Sequence, residues 1–154
     1  GIVFSTDVIV GFPGETEADF KATRDLMESV GFDMAYIFRY SSRAGTRAAE
    51  TLTDNVPEKK KEERNKLLLR DLDARTMRRN REYIGQRLEV LVEGPSQRNS
   101  QRWAGRTSAN KGCFFEPDAD AEKGALRTVY VERSTSHSLF GTLCSAGNSC
   151  SLRE

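Results

Sequence analysis

The stretch Ser5–Thr16 reads STDVIVGFPGET. Val8, Ile9 and Val10 form a β-branched run that stops at Gly11-Phe12-Pro13-Gly14, the pattern of a buried strand feeding a tight turn. Thr16 with Asp19 three residues on makes a capping box, so a helix opens there. Phe20, Thr23, Met27 and Val30, with Leu26 beside them, recur at helical spacing, and Gly31 stands where a C-terminal cap belongs. From Asp33 to Tyr40 the period changes to two: Met34, Tyr36, Phe38 and Tyr40 alternate with Ala35, Ile37 and Arg39. Strand, helix and strand make a right-handed βαβ unit. Alone, such a unit leaves most of its apolar surface uncovered. The chain also opens inside an apolar run, Gly1-Ile2-Val3-Phe4, without a starting Met. A larger sheet or barrel extending before Gly1 is therefore expected.

Downstream, residues 41–56 have no clear period and read as a loop. Pro57 suits the first turn of a helix. A helical segment follows to about Tyr83, with Leu68, Leu72, Thr76 and Tyr83 on one side. Its high charge points to an exposed connector. Lys59, Lys60, Lys61 and Arg64, mixed with Glu58, Glu62 and Glu63, read as a solvated face. From Ile84 the texture is that of strands: Leu88, Val90 and Val92 alternate with Arg87, Glu89 and Leu91 until Gly94-Pro95. Short strands are expected at 101–107, 112–115, 126–132 and 138–143, enough for a small antiparallel barrel. The Ser, Gly and Asn content after Leu143 reads as a loose tail.

The chain has 154 residues and a net charge of +1. No signal peptide is recognisable, and no apolar run is long enough to span a bilayer. Cys113, Cys144 and Cys150 are odd in number and widely spaced, which does not suit a disulfide framework and fits a reducing, cytoplasmic compartment. The overall balance of charge hides one local bias. Residues 94–115 hold Arg98, Arg102, Arg106 and Lys111 and no acid. Cations without acids, set around Trp103, favour nucleic acid, since they neutralise phosphates and an aromatic can stack on a base. A core position for Trp103 is the stronger reading. His137 has no Cys or His at ligand spacing, so a turn or RNA-facing place suits it better than a metal. Cys113 reads as a small core residue, with Cys144 and Cys150 incidental.

STDVIVGFPGET, then Gly31-Phe32-Asp33, then Tyr40-Ser41-Ser42-Arg43-Ala44-Gly45-Thr46, resembles the radical-SAM methylthiotransferases, closest in pattern to their tRNA 2-methylthioadenosine synthase branch. The resemblance runs from Gly1 to about Leu143. It implies the C-terminal βαβ portion of a radical-SAM partial TIM barrel at residues 1–56, a helical connector packing on that barrel at 57–83, a TRAM domain (a small all-β, OB-like barrel) at 84–143, and a flexible tail at 144–154. It also implies the chemistry: addition of a methylthio group to C2 of a prenylated adenosine beside the anticodon. The cofactors are S-adenosylmethionine and two 4Fe-4S clusters, and the partners are the tRNA anticodon stem-loop and an electron donor. A monomer with no membrane contact is expected. The cluster-holding Cys-x-x-x-Cys-x-x-Cys loop is absent, so no metal ligand or catalytic residue is expected in this chain and the fragment alone is expected to be inactive.

The resemblance places Asp7–Gly11 on a late barrel strand that helps line the S-adenosylmethionine pocket. Ile9 would offer apolar contact, Gly11 close backbone approach, and Glu15 either a ligand hydrogen bond or a favourable charge at the helix N-terminus. Asp7 would face substrate or hold an arginine. Arg43 is either an exposed loop residue or an RNA contact, the latter because the RNA-acting branch shares Ser-x-Arg-x-Gly-Thr here. Gly105-Arg106-Thr107 with Asn110-Lys111 looks like the TRAM form of the tRNA enzymes, which puts Arg98, Arg102, Arg106, Asn110 and Lys111 on the RNA face. His137-Ser138-Leu139-Phe140-Gly141 looks like its last strand. Three alternatives stand beside this reading: a non-catalytic RNA-binding protein, and the threonylcarbamoyladenosine and ribosomal-protein branches of the family.

Overall fold

A computed structural model describes residues 2–119 and 121–144. Of the tail expected at 144–154, residues 145–154, with Cys150, lie outside the described residues. The chain divides into two compact units, Val3–Arg75 and the residues from Thr76 on.

In the first unit, β1 (Ser5–Val10) and β2 (Met34–Arg39) pair in parallel, with Ser5 opposite Met34 and Val10 opposite Arg39. The helix α1 (Glu17–Val30) makes the crossover. Its start is the expected capping box: Thr16 Oγ1 accepts from the Asp19 N–H, and the Asp19 carboxylate accepts from the Thr16 N–H. The hydrogen bonds that the Thr16 hydroxyl and the Thr16 N–H donate to the Asp19 carboxylate hold it below its ordinary pKa. Gly31 closes the helix in the left-handed conformation. Phe20 and Met27, seven residues apart and so on one face, enter the core with Val10 and Leu68. Leu26 and Val30, expected on that stripe, are exposed, because the buried seam is narrower than the apolar pattern. The loop after β2 contains a short helix, α2 (Arg47–Thr51), capped by Thr46, where the sequence shows no period.

The helix α3 (Glu58–Arg81) opens with the Pro57 carbonyl accepting from the N–H groups of Lys60 and Lys61. Within the first unit its buried positions are Lys61, Arg64 and Leu68, with Arg75 two turns further on. These spacings of three, four and seven are those of a helix face set into a core. Cations occupy most of it. The expected solvated face is thus corrected at Lys61 and Arg64. Their stems lie against the unit, and acids and carbonyls meet their charged ends.

The second unit is a closed barrel in the order β3-β4-β5-β7-β6, with β6 returning to β3. Its strands are β3 (Arg87–Pro95), β4 (Trp103–Thr107), β5 (Gly112–Phe115), β6 (Leu126–Ser134) and β7 (Ser138–Leu143). The α/β unit followed by a small OB-like barrel is the fold class read from the sequence. One seam refines it: β5 and β7 run parallel, while the other seams are antiparallel. Alternation directs Val90, Val92, Cys113, Phe115, Val129, Val131, Leu139 and Leu143 inward. Trp103 packs against this core, as expected. Gly141 is needed for closure, since a Cβ there would overlap the Tyr130 carbonyl on the neighbouring strand. No helix among the described residues is long and apolar enough to cross a membrane.

Candidate nucleic-acid interface and strand-end site

At the end of β1 the chain turns through Gly11, whose φ of 72° suits glycine. The Gly11 N–H donates to Glu15 Oε2 at 2.6 Å, and Arg64 Nη1 donates to the same carboxylate oxygen. Arg64 Nη2 reaches Glu17 Oε1, which also takes Lys60. Burial opposes the charge on Arg64, but the hydrogen bond to Glu17 and the charge of Glu15 hold its pKa above the ordinary value. The Lys60 and Arg64 hydrogen bonds in turn lower the pKa of Glu17. A Cβ on Gly11 would overlap Lys61 Cγ, so the space beside this glycine is filled by a lysine stem of the same unit. The Lys61 ammonium donates to Asp54 and the Tyr40 carbonyl. Glu15, Arg64 and Lys61 therefore form a clasp that fixes the turn from α3. Glu15 serves that clasp, beyond the simple helix-end charge the sequence offered as one option.

Asp7 and Ile9 lie on the opposite face of β1, both exposed, and their cross-strand partners are Tyr36 and Phe38, also exposed. Ile9 is 53% accessible, Tyr36 57% and Phe38 54%. This is an open, largely apolar strip beside one carboxylate. Arg43 sits exposed in the loop before α2, its carbonyl accepting from Thr46. A cleft of about 520 Å³ lined by Tyr40, Asp54, Glu58, Lys61 and Asn65 adjoins β2. Its cations are already matched, Lys61 by Asp54 and Arg39 by Glu58.

Among the described residues no group of His, Cys, Asp and Glu has metal-site geometry. Cys113 is fully buried in the barrel, and burial pushes its thiol up to about 12, so it remains a neutral core residue.

On the barrel, the structure separates the cations that the sequence grouped. Arg106 Nε donates to Glu93 at 2.9 Å and its Nη1 to Asn110 Oδ1 at 3.2 Å. Asn110 holds φ at 55°, the left-handed position of the β4–β5 turn, and its N–H donates to the Thr107 carbonyl. That turn accounts for an Asn there. Lys111 Nζ donates to Asn80 Oδ1 and lies 5.6 Å from the Tyr83 ring centre. Asn80, almost fully buried, also donates to the carbonyls of Thr135 and Ser136, tying the β6–β7 turn. Arg98 is exposed in the β3–β4 loop. Arg102 differs from Arg106 and Lys111 in having no side-chain hydrogen bond or ion pair among the described residues; its guanidinium lies over the ring of Phe140, 5.7 Å from the centre. Arg133 lies over the same ring at 3.8 Å, and Phe140 stacks with Phe114 at 5.5 Å. The sequence reading missed Asn80, Phe114, Phe140 and Arg133. The strand alternation holds a signal for the two phenylalanines, which fall on the outward side between the inward residues Cys113, Phe115 and Leu139.

Comparison with known proteins fits this geometry. Residues 81–144 match the TRAM domain family. Over 144 residues, 94% of the chain, it is 50% identical to the tRNA-2-methylthio-N(6)-dimethylallyladenosine synthase of Opitutus terrae, of which it covers 29%. The synthases of the same name from Akkermansia muciniphila and Methylacidiphilum infernorum are 46% and 43% identical over 91% and 92% of the chain, each covered to 30%. The chain thus spans about 30% of the length of these relatives. The chain is therefore similar to the C-terminal part of these tRNA-2-methylthio-N(6)-dimethylallyladenosine synthases, and its residues 81–144 match the TRAM domain family.

Proposed function

We propose that this chain is the tRNA-holding and cofactor-facing part of a methylthiotransferase that modifies C2 of dimethylallyladenosine beside the anticodon. The observation that carries the reading is the alignment of 94% of this chain with part of a protein of that name, joined to a closed barrel whose residues match the TRAM family. In this reading the barrel binds the anticodon stem-loop, with Arg98, Arg102, Arg106, Asn110 and Lys111 around the contact and Arg43 as a further RNA contact from the first unit. The protein is a cytoplasmic monomer that draws on an electron donor.

S-adenosylmethionine fits the open strip of the first unit. Ile9, Tyr36 and Phe38 present the apolar face an adenine ring needs, and Asp7 is a carboxylate within the same strip. When bound, S-adenosylmethionine supplies the radical initiator and the methyl group. Gly11 and Glu15 hold the strand end in place through the clasp to Arg64, which supports a positioning role for them. Iron–sulfur clusters do not fit the described residues, because Cys113 is a buried neutral thiol and no metal-site grouping accompanies it. Residues outside this chain would have to hold them, and the chain alone would not make 5′-deoxyadenosine.

A chimera tests this. In the Opitutus terrae relative, this chain replaces the matching segment, and tRNA from cells lacking their own methylthiotransferase is digested and its nucleosides are weighed. The expected product is the 2-methylthio derivative of dimethylallyladenosine. A folded chimera that assembles its clusters yet leaves that nucleoside unmodified would overturn the reading and favour a non-catalytic RNA-binding protein.

A further inference from the structure

The outer surface of the barrel carries one row of side chains that a solvated surface does not explain. Strand register sets Ala104 beside Phe114, Phe114 beside Phe140, and Phe140 beside Arg133, across β4, β5, β7 and β6. The flanking residues Cys113, Phe115 and Leu139 point inward and are buried, so this row faces out. A bulge between Val131 and Arg133 shifts the register of β6. It sets Arg133, in place of Glu132, opposite Phe140, the re-aiming that bulges provide. Glu132 instead accepts from Thr142 Oγ1 at 2.8 Å.

The two phenylalanine rings are stacked, 26° from parallel, and are half-buried. Arg133 covers Phe140 at 3.8 Å, and Arg102 approaches the same ring from the loop before β4. Among the described residues neither guanidinium has an ion pair, whereas Arg106 has Glu93 and Arg127 has Asp118. A planar guanidinium held against an aromatic ring keeps its second face for another π-system and its N–H rim for phosphate oxygens. The row is therefore electropositive, aromatic and solvent-facing, and its charge is complementary to a polyanion carrying flat bases.

We infer that Arg133, Arg102, Phe140 and Phe114 form a stacking platform for one unpaired RNA nucleotide, its base laid on the Arg133–Phe140 stack and its phosphate gripped by the two guanidiniums. This rests on the reading that the barrel binds tRNA and names the residues that do so. An unpaired nucleotide is the fitting occupant because a base inside a duplex has no free face to stack.

The test uses the whole chain and an RNA hairpin with 2-aminopurine in its unpaired loop, beside the same sequence closed into a blunt duplex. Wild type should bind the hairpin with quenching of the loop fluorophore and prefer it to the duplex. Arg133→Gln should weaken hairpin binding roughly tenfold and abolish the quenching. Arg133→Lys keeps the charge and loses the stack, so it should retain salt-dependent binding while losing most of the quenching. Phe140→Leu should resemble Arg133→Lys, with circular dichroism checking that the barrel survives. If wild type binds no RNA, the tRNA reading fails and the platform with it. If wild type binds and quenches and the Arg133 and Phe140 variants match it, the platform alone is overturned. If wild type sediments as a dimer that Phe140→Leu dissolves, the row is a contact between copies and the inference is wrong.

Discussion

The two units both use cations, in opposite ways. On α3, Lys61 and Arg64 are 3% and 4% accessible and their charges end on Asp54, Glu15 and Glu17. On the barrel, Arg133 is exposed and Arg102 half-buried, and both guanidiniums lie over the face of Phe140. The first set has internal anions and holds a turn in place. The second has aromatic support and no internal anion among the described residues, which leaves its charge for something outside the molecule. Residue type says little about this division. The partner on the far side of each cation decides it.

The largest effect should come from the buried set. Arg64→Ala leaves the Glu15 carboxylate, itself 90% buried by side-chain area, without its cation. Removing one member of a buried pair costs about 3–5 kcal/mol. Urea unfolding followed by helical ellipticity should show a loss of that size. Arg64→Met with Glu15→Met removes both charges and should recover part of it. An unchanged midpoint for Arg64→Ala would show that the clasp does not hold the unit together.

A smaller effect is expected at Gly11. Alanine there meets a left-handed backbone, worth about 1–2 kcal/mol, and also overlaps the Lys61 stem. Comparing Gly11→Ala with and without Lys61→Ala, by the same unfolding measurement, separates the two. The shortened lysine should relieve the overlap and leave the backbone penalty. If the single Gly11→Ala variant is as stable as wild type, both arguments fail.

What the sequence made readable follows the same division. The βαβ unit and the barrel strands were readable because their signals are local: a capping box at Thr16, period two from Met34 to Tyr40, and alternation through Val90 and Val92 ending in turn residues. The burial of α3 was not readable. Apart from Leu68, its inward positions up to residue 75 are filled by the cations Lys61, Arg64 and Arg75, so apolar periodicity reports a mostly solvated helix, and the anions that permit burial come from residues up to 49 positions away, as with Glu15 and Arg64. On the barrel, the acid-free run from Gly94 to Phe115 located the basic segment. It could not separate Arg106, paired with Glu93, from Arg102, which lies over Phe140, because that depends on strand neighbours distant in sequence. Arg133 was invisible for the further reason that a bulge, not simple alternation, sets the residue facing Phe140.

The difference between the two sets is tested most directly by a salt titration of the affinity of the chain for the anticodon stem-loop. Each cation that grips phosphate adds about 0.7 to 0.9 to the slope of log affinity against log salt. Wild type should show a steep slope. Arg102→Gln with Arg133→Gln should flatten it by about 1.5 while the stability of the barrel changes by less than about 0.5 kcal/mol. Arg106→Gln with Lys111→Gln, which removes cations already engaged within the barrel, should flatten it less. Equal slopes for wild type and the Arg102/Arg133 variant, or the larger loss in the Arg106/Lys111 variant, would contradict the assignment of the outward-facing charge.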